Sequence, residues 1–394
     1  MIKRIAAAGA ALALLAAGPA QSASPAASLA APYARFGFDL LRAVDARNPG
    51  KNVFISPTSV AVALAFAANA AGGRTQADML AALHAPGSLA SFDAANKALA
   101  SEIARTTTVK LSMANALWLQ AGFAAKPRFV ATARDVFGAQ AGTLDFRSRN
   151  AVDIVNAWAK RHTDGLIPHV LDRIDPLTVT MLANAIAFDG RWSARFDPAA
   201  TKPHTFSVAW TGKGSVAMMQ QTGRFAYAAS GGLQTIRLPY GDKSFAMYVV
   251  LPKDRTTLAA LVERLTPASF DGLVGSLRTA KGTIGLPRFR MNFSQKINDE
   301  LIGLGFSRAF SDAADFSDLS SRRLKIGDVH HASYLNVDEK GTRAAAVTTV
   351  GVVALAMRHE PPPFSMIVDR PFLVAIRDES TGQLLFLGTI VSPG

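Results

Sequence analysis

Asp338-Glu339-Lys340-Gly341-Thr342-Arg343-Ala344-Ala345-Ala346-Val347-Thr348-Thr349-Val350 opens the least ordinary segment of this 394-residue chain. From Ala344 to Met357 fourteen residues, AAAVTTVGVVALAM, carry no charge. Asp338-Glu339-Lys340 bounds them on one side and Arg358-His359-Glu360-Pro361-Pro362-Pro363 on the other. The segment is too short to span a bilayer as a helix, which takes about 20 residues. In a strand, Thr342, Ala344, Ala346, Thr348 and Val350 share one face, and Arg343, Ala345, Val347 and Thr349 share the other. The first four of that first face are small and uncharged. Three readings stand open: a core strand, an aggregation-prone edge, or a loop with a strand slot waiting for it. Its length is unusual, because strands in soluble domains typically run about five or six residues.

The rest of the chain is that of a folded protein. Apolar residues make up 49% and charged ones 18%, which excludes disorder. There is no cysteine, which excludes a disulfide-stapled fold and any Cys-ligated metal. At the N-terminus Lys3 and Arg4 precede an Ala/Leu-rich run, Ala6 to Ala17, and small residues around Ala20 to Ala23. This is the pattern of a secretory signal peptide. It predicts a signal over 1–22, with cleavage after Ala20 or Ser22, an Ala/Ser/Pro-rich linker over 23–32, and a protein secreted or periplasmic. The style of the signal suggests a bacterial source. Without Lys3 and Arg4 the net charge is +11. No basic run exceeds the cluster Arg322, Arg323, Lys325, so a solvated basic surface fits better than a nucleic-acid site.

Helical periodicity begins at Phe36, Leu40, Leu41 and Val44. Ser56-Pro57 reads as an N-cap followed by proline at the first helical position. The helix after it, Val60 to Ala71, is apolar all round and so belongs in the centre of the fold. Further helices are predicted over 75–83, 92–105, 127–137, 150–162 and 294–304. Strands are predicted over 234–239, 245–251, 282–290, 371–376 and 384–391, with 324–337 extended. No linker or repeat interrupts 33–393, so one mixed α+β domain is expected. Enzyme motifs are missing: no G-x-S-x-G, H-E-x-x-H, Walker loop or G-x-G-x-x-G occurs. His330-His331, on a strand, would point to opposite faces, one exposed and one buried and hydrogen-bonded.

Several motifs share one resemblance. Asp338 to Val350 resembles the hinge of the serpins, a family of serine protease inhibitors. Asn52-Val53-Phe54-Ile55-Ser56-Pro57-Thr58-Ser59 resembles the start of that family's second helix. Asn184-Ala185-Ile186-Ala187-Phe188-Asp189-Gly190-Arg191-Trp192 resembles its N-A-[IL]-x-F-x-G-x-W segment. Leu238-Pro239-Tyr240, Leu286-Pro287-Arg288-Phe289 and Arg370-Pro371-Phe372-Leu373 match further segments, in the family's order.

The resemblance implies three sheets, about nine helices and an exposed reactive loop over roughly 341–363. A protease takes the loop as substrate, and the cleaved loop adds to the central sheet, an event for which serpins are a standard example. The hinge would comprise Glu339, Gly341, Thr342, Ala344, Ala345, Ala346 and Thr348. Arg343 departs from the family's usual Glu, but would face solvent. Counting seventeen from Glu339 gives Leu355–Ala356 as the reactive bond, with Met357–Arg358 and Arg358–His359 open. Leucine there suits chymotrypsin-, subtilisin- or elastase-like proteases. Ser56, Ser59, Asn184 and His331 would form a latch where strands part, the shutter, and Trp192 would mark the breach where insertion begins. Other expectations follow: a monomer, no catalytic residues, no cofactor or metal, no nucleic-acid or membrane partner, and a covalent complex with a serine protease. A non-inhibitory member of the same fold and a cross-class inhibitor of cysteine proteases are the alternatives.

Overall fold

The computed structural model describes residues 24–209, 212–341 and 362–393. The signal region 1–22 lies outside them, as do Thr342, Ala344, Ala345, Ala346, Thr348, Leu355 and Ala356. Nine α-helices are described: α1 (Ala30–Arg47), α2 (Pro57–Ala68), α3 (Gly73–Ala82), α4 (Leu89–Arg105), α5 (Pro127–Phe137), α6 (Ala151–His162), α7 (Arg255–Arg264), α8 (Pro267–Ser276) and α9 (Asn298–Leu301). The first strands are β1 (Val53–Ile55), β2 (Val109–Gln120), β3 (Gln140–Leu144), β4 (Thr180–Gly190), β5 (Lys202–Val208), β6 (Gly212–Ser230) and β7 (Leu233–Tyr240). Then come β8 (Phe245–Pro252), β9 (Arg278–Pro287), β10 (Phe289–Lys296), β11 (Asp328–Val337), β12 (Phe364–Ile367), β13 (Phe372–Asp378) and β14 (Leu384–Ile390).

A five-stranded sheet has the order β10-β11-β4-β2-β3. The remaining strands form a nine-stranded sheet, β1-β14-β13-β8-β7-β6-β9-β12, with β5 on β6. Three sheets reduce to two hydrogen-bonded ones because β6 is 19 residues long and serves both halves of the larger. It pairs with β5 at its start, β9 along its middle and β7 at its end.

Helix α2 is the pivot of the core. The Ser56 hydroxyl accepts from the Ser59 N–H at 3.2 Å, and Pro57 supplies a preset φ at the first position. All twelve of its residues are buried, which accounts for an apolar composition with no polar face. It packs on α1, β14 and β4. On the other face of the five-stranded sheet α6 lies over a thin layer of alanines: Ala114, Ala116, Ala183, Ala185, Ala187 and Ala332.

Four expectations need correction. The 23–32 linker is in fact part of the fold: Pro25–Leu29 is a 3-10 helix capped by Ser24, and α1 begins at Ala30. Ala26 and Leu29 are fully buried, and Gln383 Nε2 donates to Ala26 O at 2.9 Å. Small residues read as flexible there because composition cannot show that they pack. The strand 282–290 is two strands in different sheets. Pro287 ends β9, the Arg288 N–H turns to Ala217 O at 2.8 Å, and β10 starts at Phe289. The helix 294–304 shrinks to α9 followed by a π-turn over Ile302–Phe306. The preceding Phe289, Met291 and Phe293 alternate inward with period two, so the strand extends to Lys296. Finally, both members of His330-His331 are buried, though they do face opposite ways: residues 169–176, which follow α6, lie on the His330 side.

Candidate functional site

The site is a seam. Strands β4 and β11 are neighbours and run parallel, in register from Asp328 opposite Met181 to Leu335 opposite Phe188. On their outer edges β2 pairs antiparallel with β4, and β10 antiparallel with β11. Past Val337, β11 runs directly into Glu339, Lys340 and Gly341.

Midway along the seam a polar network lies in the apolar core. His331 Nδ1 meets Asn184 Oδ1 at 2.6 Å across the two strands. The Ser56 N–H donates to His331 Nε2 at 3.1 Å. An acceptor at Nε2 fixes the neutral tautomer with its proton on Nδ1, which donates to the Asn184 carbonyl. The Asn184 amide then donates to Ser59 Oγ and to Asn115 Oδ1, each at 2.6 Å. Ser333 Oγ donates to Phe54 O at 2.6 Å. His331 is fully buried, and burial pushes its pKa down to about 3. Protonation would turn Nε2 into a donor facing a donor. Ser56 presents its backbone N–H and Ser59 accepts, so neither serine hydroxyl is activated by His331, and this is no hydrolytic dyad.

The end of the seam is held differently. Trp192 stacks on Tyr240 with centroids 4.3 Å apart, and its Nε1 donates to Asp338 O at 2.9 Å. The Glu339 carboxylate is buried, accepts from Arg288 Nε at 2.7 Å, and is also hydrogen-bonded by Thr201 Oγ1. Burial pushes the pKa of Glu339 up, but the hydrogen bonds from Arg288 and Thr201 outweigh it and hold the group below the ordinary value. Gly341 has φ +104° and sits against the seam strand: a Cβ there would lie 2.4 Å from Gly190 O and Trp192 N. Only glycine fits.

Ser56, Ser59, Asn184 and His331 therefore come together as one network. Glu339, Gly341 and Trp192 come together some strands' length away at the seam's end. Asn115, Arg288, Thr201 and Tyr240 complete these two clusters and were not singled out from sequence. Arg288 and Tyr240 stood inside quoted motifs, which was the available signal. Asn115 and Thr201 had none.

The profile of the serpin (serine protease inhibitor) family matches residues 31–393. The chain belongs to the serpin family. It is 34% identical, over 91% of its length and 84% of that protein, to an uncharacterized serpin-like protein of Thermococcus kodakarensis. It is 33% identical to the leukocyte elastase inhibitor of Sus scrofa, covering 93% of this serpin and 99% of that one. Among solved structures, mouse protein-Z dependent protease inhibitor superposes with a TM-score of 0.84 at 28% identity, over 94% and 98% of the two chains. Serpins are protease inhibitors and not enzymes, in keeping with the polar network just described.

Proposed function

We propose that this serpin is a suicide substrate for a serine protease of apolar specificity, secreted or periplasmic, and that the β4–β11 seam is where the cleaved loop enters. The observation that carries this reading is the parallel seam itself. A chain leaving the end of β11 and folding back at Gly341 would run antiparallel to β11, and hence to β4. Placed between them, it would replace one parallel ladder with two antiparallel ones and satisfy all its own backbone groups. The inward face of that strand would be Thr342, Ala344, Ala346 and Thr348, which is small and uncharged. A charge there without a partner would cost several kcal/mol.

In this reading Leu355–Ala356 is the bond attacked. The protease serine forms an ester with the Leu355 carbonyl, and the new amine of Ala356 leaves. Insertion of residues 341–355 carries the ester roughly 50 Å, at about 3.3 Å per residue, before water can release it. The network at His331 and the Trp192 cluster are the contacts that insertion must break or pass. The name of the porcine relative, an elastase inhibitor, supports a target of this specificity class.

The test mixes purified protein with chymotrypsin, elastase, subtilisin and trypsin. An SDS-stable complex and a released C-terminal peptide starting at Ala356 are expected. A peptide starting at His359 would move the bond to Arg358, and cleavage by every protease without any complex would refute the trap. Ala346→Arg is expected to turn the inhibitor into a plain substrate.

A further inference from the structure

The face of β11 opposite His331 holds a group that the trap does not use. A cavity of about 720 Å³ opens between residues 169–176, which follow α6, and the adjoining ends of β10 and β11. Its size is that of an ordinary small-molecule pocket. His330 lines it, is 7% exposed, and has no hydrogen-bond partner at Nε2 among the described residues. A buried polar atom left unmatched beside a roomy cavity lined by both charged and apolar side chains is a place for a ligand atom. The carboxylates of the cavity are already engaged. Asp328 pairs with Lys296, Asp172 accepts from His169 at 2.6 Å, and Asp175 accepts from the Leu177 N–H at 2.9 Å. Arg173, by contrast, is exposed and makes no ion pair among the described residues. The lining also includes Leu171 and Ile174.

We propose that this cavity binds a small monocarboxylic acid with a hydroxyl at its far end, the carboxylate on Arg173, the apolar body against Leu171 and Ile174, and the hydroxyl on His330 Nε2. A hydroxyl suits this position because it can donate or accept, whichever ring nitrogen holds the proton. Arg173 suits the carboxylate because its planar fork matches two oxygens.

One wall of the cavity is the segment that follows α6, and the other is formed by β10 and β11. Residues 169–176 are tied to α6: Asn156 Oδ1 accepts from the Val170 and Leu171 N–H groups at 2.8 and 3.2 Å, and its amide donates to Leu171 O at 2.9 Å. From the β10 and β11 wall, Ser294 Oγ donates across to Val170 O at 2.5 Å. A ligand touching both walls favours the state in which the segment after α6 rests on β10 and β11, so where strand insertion displaces that segment the ligand slows insertion by linkage. This regulatory consequence rests on the trapping function proposed above, whereas the binding itself does not.

The experiment titrates 4-hydroxyphenylacetate into the uncleaved full-length protein by calorimetry, with phenylacetate and tyramine as comparisons. Saturable one-to-one binding of the hydroxy acid is expected, weakened roughly tenfold or more without the hydroxyl and lost when the carboxylate is replaced by an amine. Arg173→Gln, a surface change, should abolish binding, and His330→Phe should remove the preference for the hydroxyl. No binding, or equal binding by Arg173→Gln, overturns the site. Saturating ligand should also slow formation of the SDS-stable protease complex, and an unchanged rate overturns the regulation. A protein that binds the acid as described yet never traps a protease refutes the trap and not the site.

Discussion

The two ends of one seam are closed by different physics. Midway, His331, Asn184, Ser59, Ser56 and Asn115 form a neutral hydrogen-bonded network without any access to water. At the end, Glu339 is a buried carboxylate whose cation, Arg288, is 47% exposed. The first kind of lock depends on every donor meeting an acceptor, and its strength comes from the penalty for an unmatched group in a low-dielectric place. The second depends on charge, so salt and side-chain entropy weaken it. In the proposed mechanism the strict lock lies in the middle of the seam and the softer one where the opening would start. Gly341 adds a third element, a position at which the backbone leaving β11 touches the end of β4.

Substitutions at the two ends should separate these locks. The largest effect is expected for Gly341→Val, which combines a disfavoured positive φ with atoms that overlap Gly190 and Trp192. A loss of roughly 4 kcal/mol of stability is expected, read by urea unfolding of the uncleaved protein. A loss under 1 kcal/mol would mean that Gly341 does not press on the seam. Asn184→Ala should come next, at roughly 3 kcal/mol, because it leaves the His331 N–H without its acceptor and Ser59 Oγ and Asn115 without their donor.

Acid distinguishes the ends without mutation. The fold selects neutral His331, so below the unfolded value of 6.5 the unfolded chain binds the extra proton. The contribution is complete above pH 6.5 and is lost progressively toward about pH 3. Between pH 7 and 5 that is about 2 kcal/mol. The imidazole resonances of His331 should show no titration above pH 5, and titration near 6.5 would refute the buried neutral ring. Glu339, held below its ordinary value, loses its contribution only at lower pH, as it protonates.

The smallest change is expected for Arg288→Ala, about 1–2 kcal/mol, since the departing cation is half-exposed but leaves a buried carboxylate behind. Raising salt should shrink the difference between wild type and this variant. It should leave the Asn184→Ala difference in place, and equal salt dependence of the two would erase the contrast between the two locks.

Much of this was legible because it is local. Ser56-Pro57 announces a helix start by chemistry alone, and α2 declares itself buried by having no polar face. β4 was harder to see, because it is buried on nearly every residue and shows no alternation. The residues that complete the locks were illegible for a related reason. Asn184 and His331 are 147 positions apart, and Thr201 lies 138 from Glu339. Nothing in the pattern around Thr201 or Asn115 marks either as the partner of a distant group. The linker reading of 23–32 failed in the same way, since alanine and proline look alike in a flexible segment and in a packed one.

The charge-free ribbon from Ala344 to Met357, the capped central helix and the family resemblance can be read from the chain alone, because periodicity, capping and side-chain size are carried by neighbouring residues. That β4 and β11 meet in parallel, that His331 is neutral while Glu339 is ionised, and that His330 faces a cavity emerge with the folded molecule. Those facts depend on which distant elements come together and on how much water they exclude, and no local stretch of chain contains either.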